Sequence, residues 1–365
     1  MGTGTPHARR TQSRRERRSR TRPPGRGRHA FPEWAWAAGC LLSGCATDPP
    51  ADGLNLTACS EALAPAEGAL LLLEELGPPV LSAVELGTGA RSLVFAVPSG
   101  GFAYEFDAGA EGVVLAYTAP AVQGEVGYDR SVLVLLVDGA MRPLGEQGAP
   151  GRWSFFPTWS ADDAAVWFVA TGEGTKAPSV LSRLDLATQT SVGVVPFATE
   201  PAVSEDGAHL AWVALDPVTT ERTLVVGDAS GGAARVVVSP ATAGDLGRPF
   251  FSTDSQWLYF TVLAEVAPPT TALLDLFVPS AHAHANHDRE GDWWRVPVEG
   301  GDPERVSFLD TIHYDGAPGV DGAILTATRD GVLRIDPELG EVETLRCLRT
   351  VRAVGRMAAV PTEVR

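Results

Sequence analysis

Lysine is nearly missing from this 365-residue chain, which has it only at Lys176, and asparagine occurs only at Asn55 and Asn286. Ala, Gly, Pro and Arg abound instead, a bias that reflects GC-rich coding more than chemistry. No G-x-S-x-G, P-loop, H-E-x-x-H or G-x-G-x-x-G motif occurs. Hydrolase-elbow, P-loop nucleotide, zincin and dinucleotide chemistry therefore lack sequence support. Basic residues are scarce beyond position 44. Residues 1–44 hold ten arginines against Glu16 and Glu33, so the formal charge of −16 conceals about −24 over the remainder. A surface that acidic repels phosphate backbones and favours cationic or metal partners, so nucleic acid is not an expected ligand.

What is present is enough for a folded core. Hydrophobic residues make up 44% of the chain, which argues against wholesale disorder, and the length suits two average domains or one large β architecture.

The N-terminal residues 9–28, RRTQSRRERRSRTRPPGRGR, precede the apolar stretch WAWAAGCLLSG. A basic flank followed by roughly ten apolar residues reads as an export signal, and the stretch is shorter than the ~20 residues of a membrane-spanning helix. It ends in Leu42-Ser43-Gly44-Cys45, which resembles the lipobox of bacterial lipoproteins. That resemblance implies removal of residues 1–44, acylation of Cys45 and a polar, Pro-rich tether over residues 45–65. Ala46 after the cysteine implies the outer membrane, facing the periplasm, with the inner membrane and the cell surface as the other envelope locations. Cys40 would leave with the signal, so the exported chain keeps Cys59 and Cys347 as its thiols. They are candidates for a disulfide in an oxidising compartment, or two separately buried thiols.

Three segments align without gaps: PTWSADDAAVWF from Pro157, PAVSEDGAHLAW from Pro201 and PFFSTDSQWLYF from Pro249. Their shared form, P-x-x-S-x-D-x-x-x-[VL]-x-[FW], reads as a short strand, a turn held by Ser and Asp, and a second strand with alternating apolar residues. Each hairpin is followed by two further β-rich runs about a turn, so each unit predicts four strands, the content of a propeller blade. Weaker copies begin at Glu67, Glu111 and Asp321, and the turn acids then fall at 67, 111, 162, 206, 254 and 321. Asp162, Asp206, Asp254 and Asp321 are accordingly read as structural turn residues, and Trp159, Trp167, Trp212 and Trp257 as packing between blades.

These motifs resemble the PD40 or TolB-type repeats of six-bladed β-propellers over about residues 66–361. The resemblance implies an all-β, six-bladed propeller of four-stranded antiparallel blades, monomeric, with the tail VRAVGRMAAVPTE supplying a missing strand to blade one. In such a closed ring Cys59 and Cys347 lie near one seam. About 20 residues between Cys45 and the first blade leave no room for TolB's N-terminal α/β domain, so the expectation is a TolB-like fold without TolB's role.

The interval from Asp254 to Asp321 is the one that breaks the period, and it contains an insertion at about residues 264–290 with the sequence SAHAHANHDRE. His282, His284, His287 and Asp288 are a candidate shell for a divalent metal such as Zn, Cu or Ni. The other reading of the same loop is a polar lid that touches a partner. His313, near the inner strand of blade six, is a candidate channel contact. The functional expectation is a non-enzymatic, lipid-anchored propeller that binds a periplasmic or outer-membrane protein or a small ligand. The alternatives are a periplasmic metal-binding protein using the histidine loop and, by fold analogy alone, a propeller lyase or hydrolase.

Overall fold

The computed structural model describes residues 69–357, apart from 76–78, 86, 99–100, 119–130, 138–139, 146–152, 172–177, 241–244, 264–290, 310–312, 320, 329–330 and 346–350. The architecture is all-β, with six sheets of four antiparallel strands. Blade one holds β1 (Ala69–Glu75), β2 (Pro79–Glu85), β3 (Arg91–Ala96) and, from the other end of the chain, β24 (Val351–Met357). Blade two holds β4 (Phe102–Gly109), β5 (Gly112–Thr118), β6 (Val132–Val137) and β7 (Ala140–Pro143). Blade three holds β8 (Trp153–Trp159), β9 (Ala165–Thr171), β10 (Ser179–Asp185) and β11 (Thr190–Pro196). Blade four holds β12 (Ala198–Val203), β13 (His209–Leu215), β14 (Arg222–Asp228) and β15 (Arg235–Val238). Blade five holds β16 (Leu246–Phe251), β17 (Trp257–Leu263), β18 (Gly291–Pro297) and β19 (Glu304–Arg305). Blade six holds β20 (His313–Pro318), β21 (Ile324–Thr328), β22 (Gly331–Ile335) and β23 (Val342–Leu345).

The innermost strands touch in the cyclic order β24, β4, β8, β12, β16, β20 and back to β24, which closes the ring. The tail does supply the missing strand: β24 pairs antiparallel with β1, with Leu71 opposite Gly355 and Leu73 opposite Ala353. Closure thus joins the two ends of the ring in one sheet and pairs the inner edge of β1.

Period-two alternation explains the core, because successive residues of each second strand face opposite neighbours. Leu71 and Leu73 pack with Phe106 and Leu115 of blade two, while Leu70 and Leu72 pack with Leu325 and Val332 of blade six. Val114 and Leu135 meet Trp159 and Phe168 between blades two and three. Trp167 and Leu181 meet Leu210 and Trp212 between blades three and four. Val213 and Leu224 meet Phe251 and Phe260 at the next interface, and Phe250 and Trp293 meet Ile324 at the one after. Each wedge-shaped gap is filled by large side chains, and a fully buried one such as Trp167 or Trp293 contributes on the order of 1.5–3 kcal/mol. Trp257 is only half-buried, and the Arg295 guanidinium lies over its ring at 4.4 Å.

The repeated Ser and Asp build the same clasp in blades three, four and five. Ser204 Oγ donates to Asp206 Oδ1 at 2.6 Å, and that oxygen also accepts the Ala208 N–H at 2.9 Å, while Ser204 Oγ accepts the His209 N–H at 2.9 Å. Ser160 with Asp162, and Ser252 with Asp254, repeat the arrangement at 2.6 and 2.5 Å. These bonds favour the ionised carboxylates, so the acids of Asp162, Asp206 and Asp254 sit below the usual range, chiefly through the serine hydroxyl. Asp321 in blade six differs, because it has no serine partner and pairs instead with Arg334 on β22.

Candidate ligand-binding channel

The proline that opens each strong repeat follows a residue with left-handed backbone: Phe156 (φ 51°) before Pro157, Glu200 (φ 51°) before Pro201 and Arg248 (φ 53°) before Pro249. Each lies in a bulge, where the register breaks between Phe155 and Thr158, Thr199 and Ala202, and Gly247 and Phe250. A residue preceding proline normally adopts extended backbone, and a non-glycine left-handed residue costs on the order of 1–3 kcal/mol. The geometry places all three residues on the wall of a central cavity of about 580 Å³.

Charged side chains from four blades meet there. Glu105 on β4 accepts the Phe156 N–H through Oε2 at 2.9 Å, and its Oε1 lies 3.4 Å from Arg248 Nη1. Asp107, two residues on, accepts the Trp159 N–H at 2.7 Å, the Thr158 hydroxyl at 3.0 Å and the Ala108 N–H at 2.8 Å. Glu200 accepts the Arg248 N–H at 2.5 Å and pairs with Arg222, whose Nε is 3.7 Å from Asp245. A side chain at Gly247 is excluded, since an added Cβ would lie 2.7 Å from Glu200 Oε2. Asp315 on β20 accepts the N–H of Gly316 at 2.9 Å.

These surroundings drive the acids apart. Burial pushes Asp315 up to about 7, with the Glu105 and Asp107 charges adding to it while Arg248 and the Gly316 N–H oppose it. Burial likewise raises Glu105 and Asp107 against their hydrogen bonds. Glu200 goes the other way: the Arg222 and Arg248 charges, with the Arg248 N–H, outweigh its burial and hold it below the usual carboxylate range. Arg248 is held firmly protonated, its own burial being outweighed by Glu105, Asp315 and Glu200.

Of the residues singled out from sequence, Asp162, Asp206, Asp254 and Asp321 lie in turns between first and second strands, where each carboxylate accepts a backbone N–H two residues on. His209 stacks over Phe251 of blade five at 6.4 Å, facing its neighbouring blade. His313 opens the innermost strand β20, with its side chain outside what is described. Cys45, Cys59, Cys347, His282, His284, His287 and Asp288 lie outside the described residues. Among the described residues no three His, Cys, Asp or Glu side chains converge as a metal shell. The channel residues Glu105, Asp107, Glu200, Arg248 and Asp315 were not singled out from sequence. The available signal was a charged residue directly before the repeat proline, as in Glu200-Pro201 and Arg248-Pro249.

No protein family's profile matches the chain, and no curated protein matches it. Solved structures do. A putative TolB from Agrobacterium tumefaciens has a TM-score of 0.51 at 16% identity, over 76% of this chain and 88% of that one. TolB from Acinetobacter baumannii also has a TM-score of 0.51, at 12% identity, over 88% of this chain and 70% of that one. A chain of a nidogen/laminin complex has a TM-score of 0.53 at 8% identity, over 80% of this chain and 99% of that one. At such low identities the likeness is one of fold, and the fold is the six-bladed β-propeller shared by the TolB structures.

Proposed function

We propose that this chain is a lipid-anchored protein of the bacterial cell envelope that binds a protein partner or a small ligand at its central channel and catalyses no reaction. The observation that carries the binding reading is the channel wall itself. Its carboxylates are fixed in place by backbone N–H groups and arginines, and such preset polar groups around a preformed cavity are the usual form of a recognition site. The lipobox-like Leu42-Ser43-Gly44-Cys45 supports the envelope location and the anchor. The similar chain of the nidogen/laminin complex supports the use of such a ring for a partner, by analogy of fold.

Two measurements test this. The full chain assayed against panels of glycans, peptides and esters is expected to give no turnover, and turnover that Asp315→Asn abolishes would overturn the non-enzymatic reading. Cells fed an alkyne-bearing fatty acid are expected to label the protein, with the label lost in Cys45→Ser; label retained in that variant would remove the anchor.

A further inference from the structure

Arg248 occupies the channel as a guanidinium held between a carboxylate and an aromatic ring. Its Nη1 lies 3.4 Å from Glu105 Oε1, and its Cζ lies 5.3 Å from the centre of the Phe156 ring. A carboxylate paired with an aromatic face is the chemistry that receives guanidinium and ammonium groups generally. The chain's own arginine therefore marks a subsite already built for an organic cation.

The described wall around it is short of positive charge. Its acids are Glu105, Asp107, Asp163, Glu200, Glu205 and Asp315, and its cation among the described residues is Arg248. Two of these acids are closed to a newcomer: Asp107 by three donors, and Glu200 by Arg222 and the Arg248 N–H. Asp315 is different, because among the described residues the hydrogen bond its carboxylate accepts comes from its own neighbour Gly316. Its pKa, pushed up to about 7, reflects desolvation and the Glu105 and Asp107 charges, which outweigh the opposing Arg248 charge. A cavity of about 580 Å³ lies within the range of small-molecule sites.

We propose that the channel is a binding site for a small organic cation carrying a guanidinium or primary ammonium group, received by Glu105 and Asp315, with Arg248 as the resident group it displaces. The inference rests on the reading of the channel as a ligand site and adds the ligand's chemical class.

Agmatine, which carries both groups, is the probe, titrated calorimetrically into the full chain. Wild type is expected to bind it, Arg248→Ala to bind at least tenfold tighter, and Asp315→Asn at least tenfold weaker. Binding by wild type is also expected to tighten between pH 6 and pH 8 as Asp315 ionises. Absence of binding to both wild type and a folded Arg248→Ala protein would overturn the proposal, as would binding that Asp315→Asn leaves unchanged. Should Arg248→Ala not fold, the wild-type and Asp315→Asn titrations decide alone. Calcium chloride is the contrasting arm: calcium binding that depends on Asp315, with no agmatine binding, would replace the organic cation by a metal. A channel crosslinked to some other ligand while agmatine fails to bind would sink the cation inference and leave the binding reading standing.

Discussion

Glu200 of blade four accepts the backbone N–H of Arg248 of blade five at 2.5 Å, across the interface between two consecutive inner strands. One carboxylate thereby fixes the left-handed backbone of the residue that reaches across to Glu105 in blade two, while its other oxygen holds Arg222. Removing it leaves a buried guanidinium and a buried N–H without their partner. Glu200→Ala is expected to lower stability by about 3–5 kcal/mol, the usual cost of breaking a buried ion pair from one side. Glu200→Gln keeps an acceptor for the Arg248 N–H and should lose less. Urea denaturation of the two variants checks the order.

Asp315 makes stability depend on pH in a stated direction. Its folded value of about 7 lies above the ordinary carboxylate value, so the folded state binds the proton more tightly than the unfolded chain does. The penalty for ionising it is therefore full above pH 7, shrinks as pH falls, and vanishes below about pH 4, where both states are protonated. Asp315→Asn should melt higher than wild type at pH 8, with the advantage gone by pH 4. Melting curves of both proteins over that range test it, and an advantage that grew on acidification would contradict it.

The turn clasps make a smaller, opposite contribution. Asp206 is held below the usual range by the Ser204 hydroxyl first and the Ala208 N–H second, so its share of stability is present at neutral pH and lost as pH falls through its folded value. By comparison with other short side-chain caps, Asp206→Ala should cost roughly 0.5–2 kcal/mol. Ser204→Ala should cost a similar amount, and the double variant less than the sum, because the two side chains act as one unit. Thermal denaturation at pH 7 reads all three.

Gly316 is needed for packing. A Cβ there would lie 2.4 Å from the ring atoms Cζ2 and Cη2 of the fully buried Trp293. Gly316→Ala should destabilise by roughly 1–3 kcal/mol through overpacking, with a change in tryptophan fluorescence of the native state as the second readout.

The fold was legible in the sequence where it repeats locally. The Ser-x-Asp clasps and the alternating strands after them need only neighbouring residues, so Pro157, Pro201 and Pro249 announce their blades without knowledge of the rest. The role of the tail came from the resemblance to TolB-type propellers, which implies a strand that completes blade one, and Val351–Met357 forms that strand. The channel site was not legible, for a physical reason. Glu105 and Arg248 are 143 residues apart, and Glu105 and Asp315 lie in the blades whose repeats are weakest. Their meeting is a product of ring closure, and a single blade read alone shows an acid on an inner strand and no partner for it. The left-handed residues before proline were hidden for a related reason: propensity favours extended backbone there, and tertiary contacts such as Glu200 to the Arg248 N–H override it.

If the proposed function holds, the channel, rather than the outer rim of the ring, takes the ligand. Photocrosslinking in intact cells tests it most directly, with a photoreactive phenylalanine analogue placed at position 156 on the channel wall or at position 192 on β11, where Val192 is 63% exposed. A discrete adduct is expected from position 156, identified by mass spectrometry and weakened by Asp315→Asn, and none from position 192. An adduct formed from position 192 alone would contradict it.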